Sequence, residues 1–357
     1  MYIIIYGLSP FIALFLVNYS NKNEDVINPT SVKYLFTISA IFLLSFVRDI
    51  NFTHDFRWYY DFYNYYYENG SRLPGFKANE ILWEKLNEIA AVLRLPPLVF
   101  FSILSSITVF LFIEGMSYFN VNRWFIFLVF ILTGTYFWTL SGLRQALAIG
   151  IVYYSFRFLV KRQLVYYVAS IVLAAGFHIS AIIAIPLYSM YGLNYHRIKL
   201  LSVYALSIVT SYISFASDIL NASILNIMQL LPLFDKYAFS YSDALVAEEH
   251  RTSSGLGVII FQLINLLLIF EARPTSKSQI FILNFYFIFE ILSNLFPSIG
   301  AINRIVIYGS FILPIVISIV IENNNKFSRG VYHLLFICAF AILFFISLNS
   351  FITPLHS

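Results

Sequence analysis

The chain has 357 residues, of which 60% are hydrophobic and only 11% charged, with a mean hydropathy of +0.79. A soluble domain would carry roughly twice that charge, so a water-soluble globular fold is excluded. The net charge of +4 resides mostly in turns and gives no footprint for nucleic acid, and a single cysteine, Cys338, excludes an internal disulfide and a cysteine metal cluster.

Apolar runs of about 18 or more residues recur along the whole length, each long enough to cross a ~30 Å hydrocarbon core. A transmembrane barrel would show short alternating strands instead. The expected fold is all-α: one polytopic membrane domain over 1–357, with about twelve spans and a range of about ten to twelve. The runs lie near 2–18, 31–47, 97–119, 124–140, 143–160, 163–177, 179–194, 200–218, 256–272, 279–296, 305–321 and 331–349. No Lys or Arg precedes the first run, which therefore reads as a span and not a cleaved signal peptide. The pair 163–177 and 179–194 reads as a hairpin or as one helix kinked at Gly176 and Pro186.

Basic residues set the orientation. Lys22, Lys33, Arg123, Arg157, Lys161, Arg162, Arg197, Lys199, Arg273, Lys277, Lys326 and Arg329 fall in one set of loops and span ends, expected to be cytoplasmic. The short loops of the opposite set hold only Arg144 and Arg304. Twelve spans put both termini outside. Merging 163–194 into one span would flip every later loop and spoil this bias.

Two long connections then face outward, 48–96 and 219–255. The first contains the aromatic run W-Y-Y-D-F-Y-N-Y-Y-Y at 58–67. Its second half places Ile81, Leu82, Leu86, Ile89 and Val92 at helical spacing, which predicts an amphipathic helix on the outer surface. Neither loop is long enough for an independently folding domain.

The chemistry-bearing candidates cluster on the outer side. Arg144 opens a span after Ser141-Gly142 and precedes Gln145; it is either a headgroup anchor or a fork for a phosphate or diphosphate. Arg304, after Asn303, is the second basic residue against the charge bias. His178, in G-F-H-I-S, is either a satisfied helix histidine or a donor to phosphate or sugar, with Ser180 beside it. Asp49, Asp55, Asp61 and Glu80 are outer carboxylates; one of them is a candidate base for an acceptor hydroxyl, and the others form a solvated surface. Tyr59, Tyr60 and their neighbours suit stacking on sugar rings and an interfacial belt equally. No metal-ligand spacing, phosphate-binding loop or dinucleotide fingerprint is present.

L-R-Q-A-L-A-I-G at 143–150 and A-G-F-H-I-S-A at 175–181 resemble the paired R-Q-x-x-A and F-H-x-S-A motifs of the EpsG-type polysaccharide polymerases, relatives of the Wzy-like O-antigen and capsule polymerases. The D-F-R-W-Y-Y-D-F-Y stretch at 55–63, N-E-I-L-W-E-K-L at 79–86 and N-R-I-V-I-Y at 303–308 are also similar to that family. The family's Gly-x-Asp-Tyr signature in the first outer loop is absent, and its carboxylate corresponds to Asp49 or Asp55. The resemblance implies a metal-independent glycosyltransferase without a cofactor, in the bacterial cytoplasmic (inner) membrane, facing outward. It would join oligosaccharide repeat units carried on undecaprenyl diphosphate and release that diphosphate. Arg144, His178, Arg304 and Asp55 would be catalytic, and Gln145, Asp49, Tyr59, Tyr60, Glu80, Ser180 and Asn303 would bind substrate. Membrane lipids and a chain-length regulator protein are the partners such an enzyme would have. An O-antigen ligase is the alternative enzyme. A flippase or transporter is the alternative of another class, for which Glu114 and Glu290 within or near spans are the feature to follow.

Overall fold

The computed structural model describes residues 32–50, 53–70, 80–119, 121–213, 256–296, 300–325 and most of 330–344, with isolated positions elsewhere. The expected first span, the middle of the loop at 71–79, nearly all of 219–255 and the C-terminal tail lie outside the described residues. All regular structure among the described residues is helical.

The helices are α1 (Val32–Phe46), α2 (His54–Asn69), α3 (Ile81–Val92), α4 (Pro97–Met116), α5 (Arg123–Leu132), α6 (Thr135–Ser141), α7 (Leu143–Val160), α8 (Leu164–Phe177), α9 (Leu187–Met190), α10 (Arg197–Ser211), α11 (Leu256–Glu271), α12 (Lys277–Leu295), α13 (Gly300–Ser310) and α14 (Leu313–Glu322). Among the described residues, four helical stretches are long and apolar enough to cross a membrane by themselves: 97–116, 143–160, 277–295 and 302–322. Shorter apolar helices cover 164–177, 257–271 and 330–342.

Three expected spans have internal breaks with local causes. The run 124–140 divides at Gly134, whose left-handed backbone (φ 76°) separates α5 from α6, while the hydroxyls of Thr133 and Thr135 bond across the break at 2.9 Å. The run 305–321 divides before α14, where Pro314 sits in the first turn. The run 179–194 contains a 3₁₀ segment, Ile179–Ala184, then Pro186 and the short α9. His178, in extended conformation (φ −156°, ψ 119°), ends α8, and Pro186 lacks the N–H that would continue a helix.

The chain forms two compact units, Met1–Ser189 with Lys326–Ser357, and Met190–Asn325. In the first, α4 lies between α1 and α7, and α7 pairs with α8. A Cβ at Gly115 would collide with the backbone carbonyl of Tyr153, so glycine permits the close approach of α4 to α7. Phe112 stacks on Phe130 at 4.5 Å and meets the Tyr153 ring edge-on at 5.6 Å. In the second, α12 packs against α10, α13 and α14.

The segment between α1 and α4 is ordered by its aromatic residues. Phe56, Tyr59, Phe62, Tyr63 and Tyr66 recur at helical spacing and form the buried stripe of α2. Thr53 caps that helix by accepting from the Phe56 N–H at 3.1 Å, and Gly70 (φ 65°) ends it. The predicted helix over 79–93 is α3, but its buried residues are Trp83, Asn87, Ala90 and Ala91, while Ile81, Ile89 and Val92 stay exposed. The large Trp83 ring wins the inward side because it removes the most apolar surface, and the two alanines let neighbours approach.

Replacing Gly115 by leucine is expected to lower stability by about 1–3 kcal/mol through overpacking. Thermal unfolding of the detergent-solubilised protein checks this as a lowered Tm.

Candidate functional site

The first unit gathers a polar cluster where α2, α3, α7 and α8 meet. Its base is the α7–α8 hairpin. The turn Lys161-Arg162-Gln163 closes α7 with Arg162 in left-handed backbone (φ 58°), and the Gln163 N–H returns to the Phe158 carbonyl at 2.8 Å. The chain reverses there, so the start of α7 and the end of α8 come to the same end of the pair. Arg144 and Gln145 stand in the first turn of α7; His178 and Ser180 follow α8.

Two further fastenings bring α2 and α3 onto that end. Thr53 Oγ1, at the head of α2, lies 2.8 Å from Ser141 Oγ, just before α7. A Cβ at Gly176 would strike the Leu82 side chain, so the bare backbone near the end of α8 receives α3.

Arg144 is the centre of the cluster. Its Nη1 donates to Glu80 Oε2 at 2.7 Å, and its Nε donates to Tyr59 Oη at 3.2 Å. The guanidinium also lies 5.4 Å from the Tyr59 ring and 5.6 Å from that of Trp58. Glu80 is 6% exposed and the Arg144 side chain 22%, so the pair is largely withdrawn from water. Glu80 occupies the position that precedes the first turn of α3, where a carboxylate also meets the positive end of the helix.

A second chain of contacts runs beside it. Gln145 Nε2 donates to Ser180 Oγ at 3.5 Å, and His178 Nδ1 lies 2.7 Å from the same oxygen. Gln145 and His178 are both buried. Adjacent residues of α7 therefore reach α3 on one side and the 3₁₀ segment after α8 on the other.

Tyr59 is held by more than its bond to Arg144. Its ring meets the Trp83 ring edge-on at 5.4 Å. Burial pushes its phenol above the ordinary value of 10.0, and the Arg144 charge and hydrogen bond act in the opposite sense. The charges of Asp55 and Glu80 reinforce the upward shift.

Of the residues singled out in the sequence, Arg144, Gln145, His178, Ser180, Glu80 and Tyr59 are brought together. Asp55 is exposed in the first turn of α2, four residues before Tyr59, on the same side of the helix. Tyr60 is half-buried, its ring edge-on to Phe56 at 6.4 Å. Asp49 is half-buried after α1, next to the buried Arg48, whose Nη1 donates to the Leu140 carbonyl. Arg304 and Asn303 are exposed on α13, in the other unit. The sequence reading missed Trp58 and Trp83, which wall the cluster. The i, i+3, i+4 spacing of Phe56, Tyr59, Phe62, Tyr63 and Tyr66 was the available signal, because it marks a helix with a buried side.

The arrangement holds a guanidinium already matched by an oxyanion, beside a histidine, a serine hydroxyl and exposed aromatic and carboxylate groups. The EpsG family model matches residues 33–356. The chain belongs to the EpsG family. It is an integral membrane protein of the polysaccharide-polymerase type. Neither the curated proteins nor the solved structures contain a match to it. Within this EpsG-family chain, the R-Q and F-H-x-S motifs are the residues that meet through Gln145 and Ser180.

Removing either charge of the Arg144–Glu80 pair leaves the other uncompensated. Glu80→Ala is expected to lower stability by about 1–3 kcal/mol, less than for a fully enclosed pair because Arg144 keeps some water; denaturant or thermal unfolding in detergent checks it. In ultraviolet titration, the wild-type minus Tyr59→Phe difference should show a phenol ionising above 10.0, and Arg144→Ala should move it further up.

Proposed function

We propose that this chain polymerises oligosaccharide repeat units carried on undecaprenyl diphosphate. The acceptor unit presents a sugar hydroxyl to the anomeric carbon that joins the growing glycan to its lipid diphosphate. A new glycosidic bond forms, the bond to the diphosphate oxygen breaks, and the hydroxyl proton passes to a base. Undecaprenyl diphosphate leaves with the developing negative charge.

The observation that carries this reading is the Arg144–Glu80 contact at 2.7 Å. A planar guanidinium that donates to a carboxylate can equally donate to phosphate oxygens, through two parallel N–H bonds. Glu80 then acts as the resting counter-ion that the diphosphate replaces. Arg144 stabilises the leaving group at the point where charge develops. His178 and Ser180, linked at 2.7 Å, supply further donors to the phosphate or the sugar. Gln145 fixes Ser180, and Tyr60 and Trp58, less buried than Tyr59, offer ring faces to sugars. Asp55, exposed on α2, is the proton acceptor. Holding donor and acceptor together on one surface supplies much of the rate.

The membrane arrangement that goes with this reaction has about twelve spans, basic turns in the cytoplasm and Arg144 at the outer leaflet of the bacterial cytoplasmic membrane. A chain-length regulator would act on the same glycan.

The experiment compares surface polysaccharide from a deletion strain complemented with wild type, Arg144→Ala, His178→Ala or Asp55→Asn. Wild type should give a long ladder, and Arg144→Ala, expressed at the wild-type level, should collapse it to a single capped repeat unit. Lipid-linked polymer accumulating without capping in the deletion strain identifies a ligase, and absence of even one unit at the outer leaflet identifies a flippase. A full ladder from Arg144→Ala overturns the diphosphate assignment.

A further inference from the structure

The second unit encloses a polar cluster that the polymerase reading does not use. Glu290 lies in α12, a span-length apolar helix, at 5% exposure. Asn265 of α11 donates through Nδ2 to Glu290 Oε2 at 2.9 Å and to Tyr204 Oη of α10 at 3.0 Å. The Tyr286 hydroxyl of α12 donates to Asn265 Oδ1 at 2.7 Å. One amide thus joins three helices, with both N–H bonds and its oxygen engaged.

These groups are one end of a column. Polar residues here include Tyr204 and Ser207 of α10, Tyr212 just after it, Asn265 and Gln262 of α11, and Tyr286, Glu290 and Asn294 of α12. The α11 and α12 residues each keep to one side of their helix. Cross-links occur at successive levels: Asn294 Nδ2 donates to Ser207 Oγ at 3.0 Å, and the Tyr212 hydroxyl donates to Gln262 Oε1 at 3.3 Å. Tyr212 is 50% exposed, so the column opens at the end of α10 remote from Arg197.

No ion pair among the described residues includes Glu290. The titratable groups bonded into the cluster are Tyr204 and Tyr286. Arg197 and Lys199 of α10, Glu271 of α11 and Glu322 of α14 stand near helix ends. From α13, Tyr308 is buried next to Gly309, which abuts Phe289, while Arg304 is exposed. A carboxylate in an apolar span without a cation is costly, and a bound cation removes that cost. A metal ion needs several oxygen lone pairs at once. Here the neighbouring amide turns its N–H, not its oxygen, toward the carboxyl. A proton needs a single lone pair, and Oε1 supplies it.

We propose that Glu290 is a proton-binding site inside the membrane domain. Loading adds one proton from water to Oε1 and converts a carboxylate to a carboxylic acid, while Oε2 keeps its bond from Asn265. Unloading returns that proton to water. The proposal is independent of the polymerase reading.

Infrared spectroscopy of the full chain in lipid nanodiscs tests it. At neutral pH, the wild-type minus Glu290→Gln spectrum should contain the carbonyl stretch of one protonated carboxyl, and that band should move in D₂O. Glu290→Gln can still accept from Asn265, so its helical circular dichroism should equal that of wild type. Carboxylate bands alone in the difference spectrum overturn the proposal. Loss of the protonated band when K⁺ is replaced by Na⁺ at constant pH also overturns it, in favour of a metal-cation site.

Discussion

The ion pair between Arg144 and Glu80 is the contact on which the placement of α2 and α3 in the first unit depends. It spans 64 residues of sequence and joins the first turn of α7 to the head of α3. Neither charge is well placed alone: Arg144 opens an apolar helix, and Glu80 is nearly withdrawn from water. Each makes the other's position tolerable. Tyr59 bonds the same guanidinium, so α2 enters the arrangement through the same side chain. The Thr53–Ser141 contact and the Leu82–Gly176 contact then hold α2 and α3 at two further points.

A site assembled around a neutralised pair has a consequence for chemistry. On the proposed reading, an anion that takes the Nη1 donor of Arg144 displaces Glu80, so binding there is an exchange of oxyanions. Tyr59 and the flanking rings hold the guanidinium plane without adding charge. The neighbouring Gln145 ties the same turn of α7 to Ser180 and thence to His178. The two motifs of the EpsG family are therefore one structural object, with its donors spread over two adjacent residues of a single helix.

The second unit handles a buried carboxyl differently. Glu80 is matched by a guanidinium, whereas Glu290 is matched by an amide and, through it, by two phenols. The first solution belongs to a partly wet rim, where two charges survive together. The second belongs to the interior of a span, where only neutral donors come at low cost. One chain thus contains a carboxylate matched by a charge and another matched by neutral donors.

Several features were legible without coordinates because they depend on local rules. Composition and apolar run length made the chain an all-helical membrane protein, and the run 143–160 coincides with α7 residue for residue. The basic turn at 161–163 determined that Arg144 and His178 share one end of a hairpin, since two antiparallel helices of similar length allow nothing else. The R-Q and F-H-x-S motifs marked the residues that meet. What the sequence could not state were relations between distant segments. Nothing local distinguishes Glu80 from Asp49 or Asp55 as the partner of Arg144; that choice follows from the approach of α3 to α8, which Gly176 permits. Nor does spacing along α3 show that Trp83 and not Ile81 faces inward, because both lie within one amphipathic pattern and the neighbouring helices decide which is covered. Glu290 read as an isolated charge in a span until packing brought Asn265 and Tyr204 beside it from two other helices. Residue type and period determine helices and their ends; only the close packing of those helices determines which polar groups become each other's partners.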